Sequence, residues 1–274
     1  MEDKPYQIFY PPNISELFSC WSAYPEGVLY AGGTAFLREQ TYKVPKLPPV
    51  IFSIEGIEEL KKISRTERYL EIGSMVRLGK ILDLGKTVPV ILKHCIENIS
   101  SLYIRNMATI GGNICMPVMD CSAALTALDA SYEFRSAQSS RWIPASRMAA
   151  MHDATQKKPH ELLTRIRIPL DIWDFSAYHK FAWQAGRSRT AIFMAKTQKN
   201  MLSDIRVIFK TGTILRNKIS ESILIGKGLP LSHKTITEYI THWDAFLCSL
   251  ENVDELSRKE FENFIEAYIY KLSE

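Results

Sequence analysis

The chain has few cysteines, no long apolar run and no cluster of basic residues, and each absence excludes a class of protein. Five cysteines occur among 274 residues without a C-x-x-C pair, which predicts the reduced thiols of a cytoplasmic protein and no disulfide framework. No apolar run approaches the roughly 18 residues of a membrane span, and residues 1–5 lack the apolar core of a signal peptide. Lysine and arginine are scattered, with a formal net charge of +4, so we expect neither a membrane nor nucleic acid as a partner.

Patterns typical of hydrolases and metal sites are also missing. The six histidines are dispersed, and no nucleophile–His–acid arrangement supports hydrolase chemistry. Cys115 and Cys121 have no further ligands nearby and form a poor pattern for zinc or an iron–sulfur cluster. The composition, 46% hydrophobic and 23% charged, is typical of a globular protein of one large or two ordinary domains.

Two glycine pairs, each after an apolar run, are the most informative features of the sequence. The first lies in Ala31-Gly32-Gly33-Thr34, and the second in Thr109-Ile110-Gly111-Gly112-Asn113. Because glycine has no Cβ, backbone N–H groups in such loops can approach an anion closely, and two loops can hold a diphosphate between them. Neither loop has a P-loop lysine or the G-x-G-x-x-G spacing of a dinucleotide fold. A single pair of this kind is more often an ordinary tight turn.

Residue periodicity predicts mixed helices and strands, then a meander of strands and a helical tail. We expect helices at 13–24, 57–63, 75–84, 88–99 and 121–130, and strands at 28–31, 50–54, 69–72, 131–135, 141–143 and 162–168. After a boundary near 169–175, we expect strands at 178–185, 190–197 and 205–210, with turns near Gly186 and Ser203-Asp204. Three helices follow, at 218–225, 235–250 and 253–272. The middle one has an apolar stripe that we expect to pack on its own domain: Ile236, Ile240, Trp243, Phe246 and Leu247.

The segment from Ile104 to Ile114 resembles the signature I-R-N-x-A-T-I-G-G-N-I of the FAD-binding medium subunits of molybdenum hydroxylases. These are the subunits of the xanthine dehydrogenase and carbon monoxide dehydrogenase type. Other family patterns follow in order: A-G-G-T at residues 31–34, L-x-I-G-A at 70–74, L-x-A-L-D-A at 125–130 and E-L-L-x-x-I-x-I-P at 161–169. The resemblance implies an α+β fold, with a two-lobed FAD-binding domain of the PCMH type at 1–172. A smaller domain of antiparallel sheet and three helices would occupy 173–274.

The resemblance also implies a set of residues that bind FAD. One glycine loop would hold the pyrophosphate with Ala31, Gly32, Gly33, Thr34, Ala35 and Phe36, and the other with Thr109, Gly112 and Asn113. Asp120 matches an aspartate near the ribitol, although it also stands where the N-cap of helix 121–130 belongs. Leu163 and Lys180 match positions that line the flavin ring. Leu163 can equally be a core residue, and Lys180 a solvated one.

The function implied by the resemblance is electron transfer. Clusters in a [2Fe-2S] small subunit, beside a molybdopterin-binding large subunit, would pass electrons through FAD to NAD or another acceptor. Departures from the family pattern at Ala35, Trp183 and the short segment before Asp120 motivate an alternative, a flavin-poor subunit kept for assembly. A stand-alone flavin oxidoreductase is a third possibility. Bound FAD would distinguish the electron-transfer subunit from the flavin-poor assembly subunit.

Overall fold

The N-terminal part of the chain folds around a small parallel sheet. The computed structural model describes residues 6–38, 40, 46–116, 120–150, 159–181, 189–251 and 253–273. The sheet has the order β1-β3-β2, and helices follow its first two strands: β1 (Gln7–Phe9), α1 (Ile14–Ala23), β2 (Val28–Tyr30), α2 (Thr34–Arg38) and β3 (Val50–Ser53). Asn13 caps α1 by accepting the N–H of Glu16 at 2.9 Å. The first glycine pair is the connection from β2 to α2.

The second lobe is a five-stranded antiparallel sheet covered by short helices. Its strands have the order β4-β5-β8-β6-β7: β4 (Ile63–Arg65), β5 (Tyr69–Gly73), β6 (Ser131–Arg135), β7 (Ser140–Pro144) and β8 (Leu162–Pro169). Its helices are α3 (Leu78–Leu82), α4 (Val90–Glu97), α5 (Leu102–Met107), α6 (Ile110–Ile114), α7 (Cys121–Ala127) and α8 (Ala145–Ala150). One face of the sheet is apolar and buries Leu70, Ile72 and Ile166 against the helices.

Ion pairs accompany the strands of this sheet. The buried carboxylate of Glu133 accepts a 2.8 Å hydrogen bond from Arg165 and one of 2.5 Å from the Thr164 hydroxyl. The hydrogen bonds from Arg165 lower the pKa of Glu133 to about 2. Neighbouring strands are thus joined by charged side chains as well as by backbone hydrogen bonds.

The C-terminal part is an antiparallel sheet with three helices on one face. Its strands have the order β12-β11-β10-β9: β9 (Phe175–Lys180), β10 (Thr190–Gln198), β11 (Met201–Lys210) and β12 (Ile214–Leu215). The helices are α9 (Lys218–Leu224), α10 (His233–Cys248) and α11 (Glu255–Ser273). Alternate residues of β10 and β11 face the two sides. Phe193 and Phe209 pack with α10 and α11, whereas Ile192 and Ile208 join the core of the five-stranded lobe.

Most elements lie where the periodicity predicts them, and the α+β fold class is confirmed. The stripe on α10 packs inside its own unit, with Ile236, Trp243 and Leu247 almost fully buried. No helix in the described ranges combines the length and apolar character needed to cross a membrane.

Several sequence predictions are wrong. The strand β11 runs through Ser203 and Asp204, and the turn before it is at Lys199 and Asn200, which have φ of +50° and +62°. Asparagine tolerates this left-handed conformation better than most residues, which explains the turn's position. The helix predicted at 75–84 is only α3. The elements β1, β4, α2, α5 and α8 were not predicted, and the turn near Gly186 lies outside the described residues.

Candidate functional site

Both glycine pairs border one cleft between the parallel sheet and the five-stranded lobe. The cleft has a volume of about 460 Å³. Of the predicted site residues, ten line it: Ala31, Gly32, Gly33, Thr34, Ala35, Phe36, Thr109, Gly112, Asn113 and Leu163. Asp120 and Lys180 are not part of this lining. The structure therefore brings together the two glycine segments, which are far apart in the sequence.

The first glycine segment needs both of its glycines. A Cβ on Gly32 would lie 2.1 Å from the carbonyl oxygen of Met107, so the absence of a side chain lets the two segments touch. Gly33 has a φ of +69°, and a Cβ there would lie 2.1 Å from the Tyr30 hydroxyl. In the described part of the chain, the backbone N–H groups of Gly32, Gly33, Thr34 and Ala35 donate no hydrogen bond. This group of donors at the start of α2 suits an anion.

The second glycine segment is the short helix α6, where a loop was predicted. The Thr109 hydroxyl caps α6 by accepting the Gly112 N–H at 3.1 Å, and the Asn113 N–H donates to the Thr109 carbonyl at 3.0 Å. The Gly111 N–H donates to the Ser74 carbonyl at 2.8 Å. Because the helix and its neighbours use these N–H groups, the available donors are the Thr109 hydroxyl proton and the Asn113 side-chain amide.

The two glycines of this segment have different surroundings. A Cβ on Gly111 would lie 2.7 Å from both Cβ and the carbonyl oxygen of Ser74, so this glycine serves packing. Among the described residues, a Cβ on Gly112 would meet only the Thr109 hydroxyl, at 3.0 Å. Gly112, which is half-buried in the cleft wall, is the glycine that leaves room for a ligand.

The Arg-Asn part of the signature supports the cleft wall. Arg105 donates from Nη1 to the carbonyls of Glu97, Ile99 and Ser100, at 3.2, 3.0 and 2.9 Å, which satisfies groups at the end of α4. Ile99, Ser100 and Ile104 line the cleft. The arginine therefore fixes a wall of the site without facing the ligand space.

Asp120 does not cap α7 with its side chain, so the capping prediction is wrong. Its backbone is already helical, and its Oδ2 lies 2.5 Å from Nζ of Lys180. Its Oδ1 lies 3.8 Å from Nζ of Lys210. Two lysine charges attract the carboxylate more strongly than a neutral N–H does. The cap is supplied by Asn113, whose Oδ1 accepts the Cys121 N–H at 3.1 Å.

The lysines of this cluster are held inside the protein. Lys180 also donates to the Asn98 carbonyl at 3.0 Å, and only 22% of its side chain is exposed, so its reading as a solvated residue is wrong. Lys210 is 1% exposed, and burial lowers its pKa although Asp120 acts in the opposite direction. Sequence reasoning missed Lys210 because a lysine that ends a strand ordinarily faces water.

Apolar side chains also line the cleft. Leu163 on β8 is 4% exposed and lines the cleft with Leu162, so it is both a core residue and a wall residue. Ile99 and Ile104 are further apolar residues of the lining. Arg38, which was not predicted because α2 was not, is the one charged residue among the described lining.

The cysteines do not form a metal site in the described residues, where no group of three or more potential ligands occurs. Cys115 is exposed, whereas Cys121 is fully buried. A hydrogen bond with Cys95, together with burial, raises the pKa of the Cys121 thiol well above its usual value.

Comparison with known protein families agrees with this geometry. The model of the "FAD binding domain in molybdopterin dehydrogenase" matches residues 4–171. Aldehyde oxidase 1 of Bos taurus is 26% identical over 226 residues, which is 77% of this chain and 16% of that protein. The glyceraldehyde dehydrogenase medium chain of Sulfolobus acidocaldarius is 29% identical over 185 residues, 65% of this chain and 66% of that one. The chain thus spans about a sixth of the aldehyde oxidase.

Solved structures show the same fold. Quinoline 2-oxidoreductase from Pseudomonas putida 86 matches with a TM-score of 0.80 at 19% identity, covering 99% of this chain and 96% of that one. Cu,Mo-CO dehydrogenase, in a cyanide-inactivated form, matches with a TM-score of 0.80 at 20% identity, covering 99% and 97%.

Proposed function

Because the chain belongs to the family of FAD-binding domains of molybdopterin dehydrogenases, we propose that it carries FAD in the cleft and relays electrons through it. The observation that carries this proposal is the pairing of two glycine segments around one cleft, both with donors that make no hydrogen bond to the described residues. The donors suit a pyrophosphate, and the apolar side chains of the lining suit a flat ring. The activity proposed is that of an oxidoreductase subunit.

The residues present fit the pyrophosphate of FAD. The N–H groups of Gly32, Gly33 and Thr34 would hold one side, and the Thr109 hydroxyl and the Asn113 amide the other. These are neutral donors, and backbone N–H groups at a helix start favour a negative charge. Arg38 adds a positive charge at the cleft.

The isoalloxazine ring would lie against apolar side chains of the lining, among them Leu163. Bound FAD supplies the redox chemistry, because its ring accepts and releases electrons, and the protein supplies binding and orientation. We propose that Asp120 and Lys180 act on the cofactor from beside the cleft. Lys180 would offset negative charge on the reduced ring, while Asp120 holds the lysine in place.

The proposed partners are a molybdopterin-binding large subunit and a [2Fe-2S] small subunit. Support comes from the relatives, one of which is named as a medium chain and another as a Cu,Mo-CO dehydrogenase. Electrons would arrive from the small subunit and leave to NAD or another acceptor. We place the division between the FAD-binding domain and the C-terminal domain at 172/173, which the end of the matched region at 171 supports. The free thiols favour the cytoplasm as its location.

Affinity purification from the native host under mild conditions tests this assembly. The proposal expects FAD together with a molybdenum subunit and an iron–sulfur subunit in the same fraction. Recovery of the partners with a chain that neither holds nor takes up FAD would support the assembly subunit instead. Recovery of a free monomer or homodimer that oxidises reduced nicotinamide at full rate would support the stand-alone oxidoreductase.

A further inference from the structure

A buried hydroxyl in the cleft wall has no hydrogen-bond partner among the described residues. Ser74 is 4% exposed, it lines the cleft, and its Oγ makes no hydrogen bond in the described part of the chain. Leaving such a group unsatisfied costs free energy, so each case in a folded protein requires an explanation. The family pattern L-x-I-G-A has alanine at this position, and this chain has serine.

The backbone of Ser74 is fixed on both sides. Its N–H donates to the Thr164 carbonyl at 2.9 Å, and its carbonyl accepts the Gly111 N–H at 2.8 Å. The side chain rotates about one bond, and no hydrogen bond holds the hydroxyl in its present rotamer. In that rotamer the Oγ is covered, so a contact with a ligand requires this one rotation about the Cα–Cβ bond, beside the second glycine segment.

We propose that the Ser74 hydroxyl is a further contact to the cofactor, donating a hydrogen bond to an oxygen of the pyrophosphate or ribityl portion of FAD. This inference rests on the proposed function, because it needs FAD in the cleft. It explains why a polar group is tolerated without a partner in the chain, since the ligand supplies the acceptor. The position beside Gly111, next to the glycine that leaves room for a ligand, directs the contact to the polar portion of the cofactor.

The test measures FAD binding to the apoprotein by calorimetry, together with the thermal midpoint of the apoprotein. The variant is Ser74→Ala, and the matched control is Thr126→Val. Thr126 also has a buried hydroxyl without a partner in the described residues, but it is not part of the cleft lining. We expect Ser74→Ala to weaken FAD binding about three- to tenfold where the acceptor is a neutral ribityl hydroxyl, and roughly 10- to 150-fold where it is a charged pyrophosphate oxygen. The midpoint of its apoprotein should be unchanged or higher, because an unsatisfied hydroxyl is removed. Thr126→Val should bind FAD as the wild type does.

The outcomes separate the Ser74 contact from the proposed function. Wild-type affinity in Ser74→Ala, while the wild type binds FAD, would overturn the Ser74 contact and leave the proposed function intact. No FAD uptake by the wild type would overturn both. If Ser74→Ala does not fold, Ser74→Cys, which has a slightly larger side chain with a weaker donor, should show the same loss in smaller measure. ADP has the adenosine and the diphosphate of FAD but no ribityl chain, so it identifies the acceptor. Weaker ADP binding by Ser74→Ala assigns the acceptor to the pyrophosphate, and unchanged ADP binding assigns it to the ribityl chain.

Discussion

Replacing Thr109 by valine removes one hydroxyl that has two roles. In the structure, this hydroxyl accepts the Gly112 N–H at 3.1 Å and so caps α6. Its own proton is the donor that we assign to the pyrophosphate of FAD. Valine has the same shape, and Thr109 is 2% exposed, so the change removes hydrogen bonds without creating a large cavity.

The two roles give effects of different size. Loss of an N-cap side chain costs about 1 kcal/mol of stability, which lowers the melting temperature of a chain of this size by about 2–4 °C. A hydrogen bond to a charged group contributes about 1.5–3 kcal/mol. Its loss should therefore raise the Kd for FAD by roughly 10- to 150-fold.

The assay is titration of the apoprotein with FAD, with melting curves of the same samples. Thr109→Ser is the matched control, because it keeps the hydroxyl, and it should stay close to the wild type in both measurements. A Thr109→Val variant that melts lower but binds FAD with wild-type affinity would refute the assigned contact and leave only the cap.

Three further predictions follow from the structure. Gly112→Val should fold but lose FAD uptake, because the valine side chain enters the ligand space. Gly111→Ala should instead destabilise the fold by about 1–3 kcal/mol through crowding against Ser74. Equal FAD uptake by Gly112→Val and the wild type would contradict the role of Gly112. Glu133 has a pKa lowered to about 2, so its ionised form stabilises the fold above its ordinary pKa, and this contribution is lost as the pH falls from about 5 to 2. Glu133→Gln should be less stable at neutral pH and show a shallower decline over that range, as melting curves would report. The isolated chain should not oxidise aldehydes or xanthine-like substrates, and dye reduction by the pure chain alone would show this to be wrong.

The fold was largely predictable because its strands and long helices carry simple periodic patterns. The alternation in β8 and the stripe on α10 are each decided by which face meets the core. The glycine pairs predicted the cleft, but not its details. The sequence around the second glycine pair does not show that Gly111 packs on Ser74 while Gly112 is open. That difference depends on Ser74, which directly follows β5 and lies almost 40 positions away.

The charged cluster beside the cleft was the least predictable part. Position in the sequence favoured Asp120 as a cap, and the competing partner, Lys180, lies 60 positions further along the chain. Lys210 joins the same cluster from β11, a strand of the sheet that also carries Lys180. Ion pairs between distant segments leave no periodic signal, so only the folded structure shows which charges meet.

The most direct test of the central claim is the cofactor content of the purified chain. One sample is heated to release the ligand, which is identified by chromatography. A second, unheated sample is used to test whether the apoprotein takes up FAD. We expect non-covalent FAD at one molecule per chain, lost in Gly112→Val and retained in Thr126→Val. A folded wild-type chain that contains no FAD and takes up none on reconstitution would contradict it.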